Sequence, residues 1–151
     1  MRIRAKDLVV SVQKKIILEG VAIAVNDGEV VGILGPNGSG KSTLVKTLYK
    51  SMTPVKGIIE LEEGKSWFSL DDMNQMDVAR KTAVVPQELD LSFGFSVREV
   101  VAMGRSPYHR GFSGLGEEDN RVIEHALRLT GADNFYRRNF MTLSGGEKNA
   151  L

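Results

Sequence analysis

The sequence predicts an α/β fold in which a buried strand runs through a glycine-rich loop into a helix, followed by a largely helical second half. Three observations carry this reading. The first third is β-branched, over Ile3 to Val12 and Ile16 to Val25. The apolar run "VVGIL", Val30 to Leu34, has the pattern of a parallel strand buried on both faces. It leads directly into "GPNGSGKST", Gly35 to Thr43, and then into a segment with helical apolar spacing, Leu44, Val45 and Leu48.

The elements follow in order. Gln13-Lys14-Lys15 separates the first two strands and fits a hairpin or meander, and Asn26 to Glu29 ("NDGE") is a turn signal. A helix is expected over Lys41 to Lys50, broken by Met52 to Gly57, before a short strand in "GIIEL". Asp71 to Lys81 reads as a polar helix, and "TAVVPQ", Thr82 to Gln87, as a second buried strand ending in a loop. Ser96 and Glu99 fit a capping box, with Val97, Val100, Val101 and Met103 as the apolar face behind it. After a Gly- and Pro-containing loop, Glu117 to Thr130 is an amphipathic helix. Val122, Ile123, Ala126 and Leu127 lie at helical spacing there, with Glu124 and Arg128 as an i,i+4 pair. The expected division is 1–87, a β-rich and partial phosphate-loop core, and 88–151, a helical part.

Composition narrows the function classes. A net charge of +1 gives no electrostatic case for nucleic acid, and the absence of cysteine removes disulfides and thiolate metal sites. The start lacks the apolar core of a secretory signal, and no run approaches the ~20 apolar residues of a membrane span. A soluble protein is the default expectation. Lys14-Lys15 and Arg137-Arg138 read as turn residues or solvated faces, His109 and His125 as surface residues, and Asp71 and Asp72 as exposed turn or cap residues. Trp67-Phe68 reads as core or interface packing, and Met73, Met76 and Met103 as gap-filling apolar residues.

Two motifs carry chemistry. Gly35 to Thr43 satisfies G-x-x-x-x-G-K-[ST] between an expected strand and an expected helix, the context a phosphate loop needs. Its glycines let backbone N–H groups turn toward a polyphosphate at the positive end of the helix. Lys41 would reach the β- and γ-phosphates and Ser42 would offer its hydroxyl to Mg²⁺. "LSGGE", Leu143, Ser144, Gly145, Gly146 and Glu147, is a second anion-binding arrangement at a helix start. Its plainer reading is an N-capped helix with Ser144 as cap and Glu147 three residues inside. Between the two motifs stands "VVPQE", with Gln87 at a strand end.

In this order the motifs resemble those of ABC-type ATPases: phosphate loop, glutamine loop at Gln87, LSGGE signature. The similarity covers essentially all 151 residues. "FSVREVVAMGRSPY", Phe95 to Tyr108, is similar to the helical region of importer ATPases for iron–siderophore complexes, haem or cobalamin. The resemblance implies a P-loop NTPase fold with N-terminal antiparallel β elements, a partial parallel core and a helical subdomain. It implies that Gly35, Pro36, Asn37, Gly38, Ser39, Gly40, Lys41, Ser42 and Thr43 hold ATP, and that Ser42 and Gln87 serve the Mg²⁺, with Gln87 also reaching the attacking water. Leu143 to Glu147 would read the ATP of a second, homodimeric subunit in trans. Membrane permease subunits would be further partners, at the cytoplasmic face of the membrane.

Three departures qualify that picture. The adenine-stacking aromatic expected near Val12 is missing, since no Tyr, Phe or Trp precedes Tyr49. After the signature, Lys148-Asn149-Ala150-Leu151 replaces the family's usual Gln or Arg pattern. The Walker B Asp, catalytic Glu and switch His have no counterpart in these residues. Turnover by this chain alone is therefore not expected, and "VVGIL" would keep an unpaired edge and an uncovered apolar face. Two alternatives stand beside the importer reading: a truncated, non-catalytic nucleotide-binding module, and a soluble ABC-type ATPase outside transport. A P-loop kinase would have no need of LSGGE.

Overall fold

Alternating apolar and polar residues in the first third build an antiparallel sheet of order β2-β1-β3-β4, from β1 (Ile3–Val12), β2 (Lys15–Val25), β3 (Lys56–Glu63) and β4 (Ser66–Ser69). The computed structural model describes residues 2–86, 94–109 and 114–149. They fall into two units, Met1–Val84 and Val85–Leu151. In the first, β1 and β2 join through Gln13 and Lys14, both at positive φ, which suits a tight hairpin. One face of the sheet supplies Ala5, Leu8, Val10, Leu18, Ile59 and Leu61 to a core. Over it lie α1 (Lys41–Leu48), contributing Leu44, and α2 (Gln75–Lys81), contributing Val78. Full burial of a Leu or Val of this kind contributes about 1.5–3 kcal/mol. Lys50 Nζ donates to the Leu70 and Met73 carbonyls, tying the end of α1 to the 3-10 turn at Leu70–Asp72.

On the opposite face Trp67 lies under the Arg4 guanidinium, 3.9 Å from its ring centroid, with Arg2 at 5.6 Å. Arg4 pairs with Glu60 at 2.6 Å and Arg2 with Glu62, and these guanidiniums hold both carboxylates below their usual range. Trp67 is therefore part of a cation–aromatic ladder outside the core, contrary to the packing role expected of it. Phe68, Met76 and Met103 are likewise substantially exposed, while Met73 packs against the core. Asp71 and Asp72 are exposed turn residues, as expected.

The two segments expected as buried strands are not strands. Val30 to Leu34 is extended but joins no ladder; Val30 is 97% and Leu34 94% exposed, and Ile33 alone of the run packs against the core. Residues 82–86 are equally unpaired, with Val85 88% exposed. A continuous apolar run is suited to a site between two parallel neighbours. Among the described residues the sheet is wholly antiparallel and offers neither segment such a place. Gln87 lies outside the described residues.

The second unit is helical: α3 (Val97–Met103), α4 (Glu117–Leu129) and α5 (Gly145–Asn149), with 3-10 turns at Ser106–Tyr108, Ala132–Asn134 and Phe140–Thr142. Its core joins Val97, Ile123, Leu127, Ala132, Phe140 and Leu143. The Ser96/Glu99 capping box is formed, with the Ser96 N–H donating to Glu99 at 2.7 Å. Val97 and Arg98 N–H donate to the Arg138 and Tyr136 carbonyls, and Phe140 N–H to that of Phe95, clasping the start of α3 to the segment before α5.

Asp119, only 8% exposed, accepts from Arg105 Nε and the Gly116 N–H, each at 2.9 Å. Those donors, Arg105 foremost, hold its carboxyl below the usual range. His109 Nε2 stands 3.2 Å from the same carboxylate, so His109 is a packed residue and not a simple surface one. The expected Glu124–Arg128 pair does not form; Arg121 and Glu117 approach to 3.8 Å instead. No helix among the described residues is long and apolar enough to cross a membrane.

Candidate functional site

The phosphate loop takes its shape from contacts within its own unit. Gly40, the N-cap of α1, has φ 92°, a conformation L side chains avoid. A Cβ there would come within 2.7 Å of Leu18 Cδ2 and 3.3 Å of the Ile17 carbonyl oxygen. Strand β2 thus lies directly against the loop–helix junction, and glycine is the residue that lets it. Leu44 and Thr47 then anchor α1 in the core, with Thr47 Oγ1 donating to the Thr43 carbonyl at 2.7 Å.

Lys41 folds back over the loop. Its Nζ donates to the Gly35 carbonyl at 2.8 Å and the Pro36 carbonyl at 2.7 Å. Ser39 N–H closes a turn onto the Pro36 carbonyl at 3.3 Å. Ser42 is exposed, and the first turn of α1 holds no acidic residue to neutralise its positive end. A lysine whose partners among the described residues are carbonyls, a solvent-facing hydroxyl and an unneutralised helix start make a site suited to a phosphorylated, metal-bound ligand. Val12, where an adenine platform was expected, is 38% exposed at the end of β1.

The signature residues lie in the other unit, at the start of α5. Ser144 Oγ accepts from the Glu147 N–H at 3.3 Å, while Glu147 Oε2 accepts from the Ser144 N–H at 2.7 Å. The Ser144 N–H foremost, then the Ser144 hydroxyl and the Arg138 guanidinium, hold the Glu147 carboxyl below its usual range. The N-cap geometry is therefore present in full. Sequence reading missed Arg138, treated as a solvated face. Its guanidinium donates to Glu147 Oε1 at 3.1 Å and to the Thr142 carbonyl at 3.2 Å, fixing the turn from outside. Leu143 is buried in the core of this unit. A basic residue nine positions before a capping Glu is too distant for any local pairing rule to flag.

Gly145 and Gly146 behave differently from Gly40. Neither has a positive φ, and a Cβ on either would meet no atom within 4 Å. Among the described residues, no contact requires glycine at these two positions.

Comparison with known proteins identifies the family and the fold. Residues 18–151 match the ABC transporter family. The chain is 36% identical over 146 residues to the hemin import ATP-binding protein HmuV of Pseudomonas aeruginosa, covering 97% of this chain and 54% of that protein. It is 42% identical over 132 residues to the HmuV of Gloeobacter violaceus, covering 87% and 46%. With the cobalamin import ATP-binding protein BtuD of Halobacterium salinarum the identity is 39% over 135 residues, covering 87% and 32%. Among solved structures, a metal-chelate type ABC transporter in an inward-facing conformation superposes with a TM-score of 0.78 at 27% identity, covering 98% of this chain and 52% of that one. An ATP-binding subunit of an ABC transporter gives 0.76 at 26%, covering 99% and 59%. The chain spans about half the length of curated relatives it matches. With its phosphate loop, its signature turn and these likenesses, the chain belongs to the ABC transporter family and has the fold of its ATP-binding domains.

Proposed function

We propose that this chain is the nucleotide-binding portion of an ABC importer's ATP-binding subunit, acting in uptake of haem, an iron–siderophore complex or cobalamin. The observation that carries it is Lys41, held over the Gly35 and Pro36 carbonyls at the start of a helix without an acidic first turn. ATP with Mg²⁺ would supply the phosphoanhydride bond whose hydrolysis drives transport. The backbone amides of Gly38 to Thr43 would bind its phosphates, Lys41 would exchange its carbonyl partners for phosphate oxygens, and Ser42 would turn its hydroxyl to the metal. Gln87 would complete the metal shell and orient water. Leu143 to Glu147 would face the nucleotide of a second subunit, with permease subunits as membrane partners at the cytoplasmic face. Gly145 and Gly146 suit that role, because among the described residues a Cβ at either would meet no neighbour within 4 Å.

Titration of the chain with a fluorescent ATP analogue and Mg²⁺ tests the reading. Lys41→Ala is expected to weaken binding by at least about a hundredfold, on the scale of losing a charged partner to phosphate. Unchanged affinity would remove the phosphate-loop assignment. A second reading, nucleotide holding without turnover, is favoured by the unpaired state of residues 30–34 and 82–86. Phosphate release by the chain alone would decide against it.

A further inference from the structure

We propose that a groove in the helical unit, lined by three arginines, binds a short acidic segment of a partner protein. The groove has a volume of about 640 Å³, within the ~300–1,000 Å³ typical of ligand sites and many times that of one small anion. Arg98 reaches it from α3, Arg128 from α4 and Arg137 from the segment before α5. Leu127 and the half-buried ring of Tyr136 supply its apolar lining.

The charges carry the argument. Within the helical unit Arg105, Arg121 and Arg138 all have carboxylate partners. Arg98, Arg128 and Arg137 form no ion pair among the described residues, although Arg98 lies near enough to Glu99 to help hold that carboxyl below its usual range. Arg98 donates to the Asn120 side-chain oxygen, and the Arg137 guanidinium lies 5.2 Å from the Tyr136 ring centroid, an arrangement that holds it without neutralising it. Glu124 and Asp133 also line the groove, and neither pairs with these arginines. The guanidinium fork matches a carboxylate in two parallel hydrogen bonds, which suits an extended segment with carboxylates spaced by apolar residues. The two acidic residues would set its register by repelling carboxylates placed elsewhere. The inference is independent of the nucleotide reading, since every residue it uses lies in the helical unit.

The test is fluorescence anisotropy on the full chain with a fluorescein-labelled octapeptide of alternating glutamate and leucine, beside its lysine–leucine counterpart. Saturable binding of the glutamate peptide alone is expected, weakened about tenfold or more by Arg128→Ala with Arg137→Ala. Both side chains are exposed, so circular dichroism should show unchanged helix content. Should that pair unfold, Arg128→Lys with Arg137→Lys takes its place, and a several-fold loss is expected because charge survives but the fork does not. Absence of saturable binding, or equal affinity in the intact variant pair, overturns the proposal. So does full displacement by equimolar citrate, which would make this a small-anion site. Stronger arginine-dependent binding to phosphatidylserine vesicles than to the peptide would also overturn it, as a membrane contact.

Discussion

The phosphate loop and the signature turn are both glycine-containing entries to helices, yet their glycines answer to different neighbours. At Gly40 the reason is internal: positive φ and the side of β2 pressed against the junction. At Gly145 and Gly146 the fold would accept a methyl group without conflict. Glycine is intrinsically less favourable than alanine in a helix, and among the described residues no contact offsets that at these two first-turn positions of a five-residue helix. The first motif is explained by the chain itself, whereas the second makes sense as half of a contact.

That contrast can be broken most forcefully at Gly40. Gly40→Val should lower stability by about 2 kcal/mol or more, since a β-branched residue must enter positive φ space and displace Leu18. Thermal unfolding would show it, and a variant as stable as the parent would sink the internal account. Acid should separate the motifs next. Residues 35–43 contain no carboxylate, whereas the signature turn is held by Glu147, whose pKa lies below its unfolded value. Stability from a lowered carboxyl is present above the unfolded pKa and lost as pH falls through the folded one. Measured against intrinsic exchange rates, the protection of the Gly145 to Lys148 amides should therefore fall as pH drops below the ordinary carboxyl range, while that of the loop amides does not. The smallest effect is expected from Gly145→Ala and Gly146→Ala. Each should leave urea stability unchanged or raised by up to about 1 kcal/mol. A clear loss of stability would mean that the chain itself needs these glycines.

Most of the local structure was legible because it rests on short-range rules. The hairpin break at Gln13-Lys14, the Ser96/Glu99 box and the Ser144 cap are encoded within four residues, and all three form. The strand readings of Val30 to Leu34 and of residues 82–86 failed for the opposite reason. Their apolar character specifies burial between neighbours, and no neighbour among the described residues supplies it. Strand β4 and the Trp67 ladder depend on register with β3, where Glu62 opposes Trp67, and a pairing of that kind cannot be read from "SWFS" alone. In the signature region the motif was visible, but Arg138 was not, because its partnership with Glu147 exists only after the 3-10 turn at Phe140–Thr142 has formed.

The Lys41 contacts have a thermodynamic corollary. On the proposed function, a loop whose lysine already bridges two of its own carbonyls is shaped for nucleotide before any arrives. Ligand entry then becomes an exchange of hydrogen-bond partners, with little chain left to freeze and little apolar surface left to hide. Calorimetry should register such an event as a modest heat-capacity change, unlike the large negative value that accompanies coupled folding and binding.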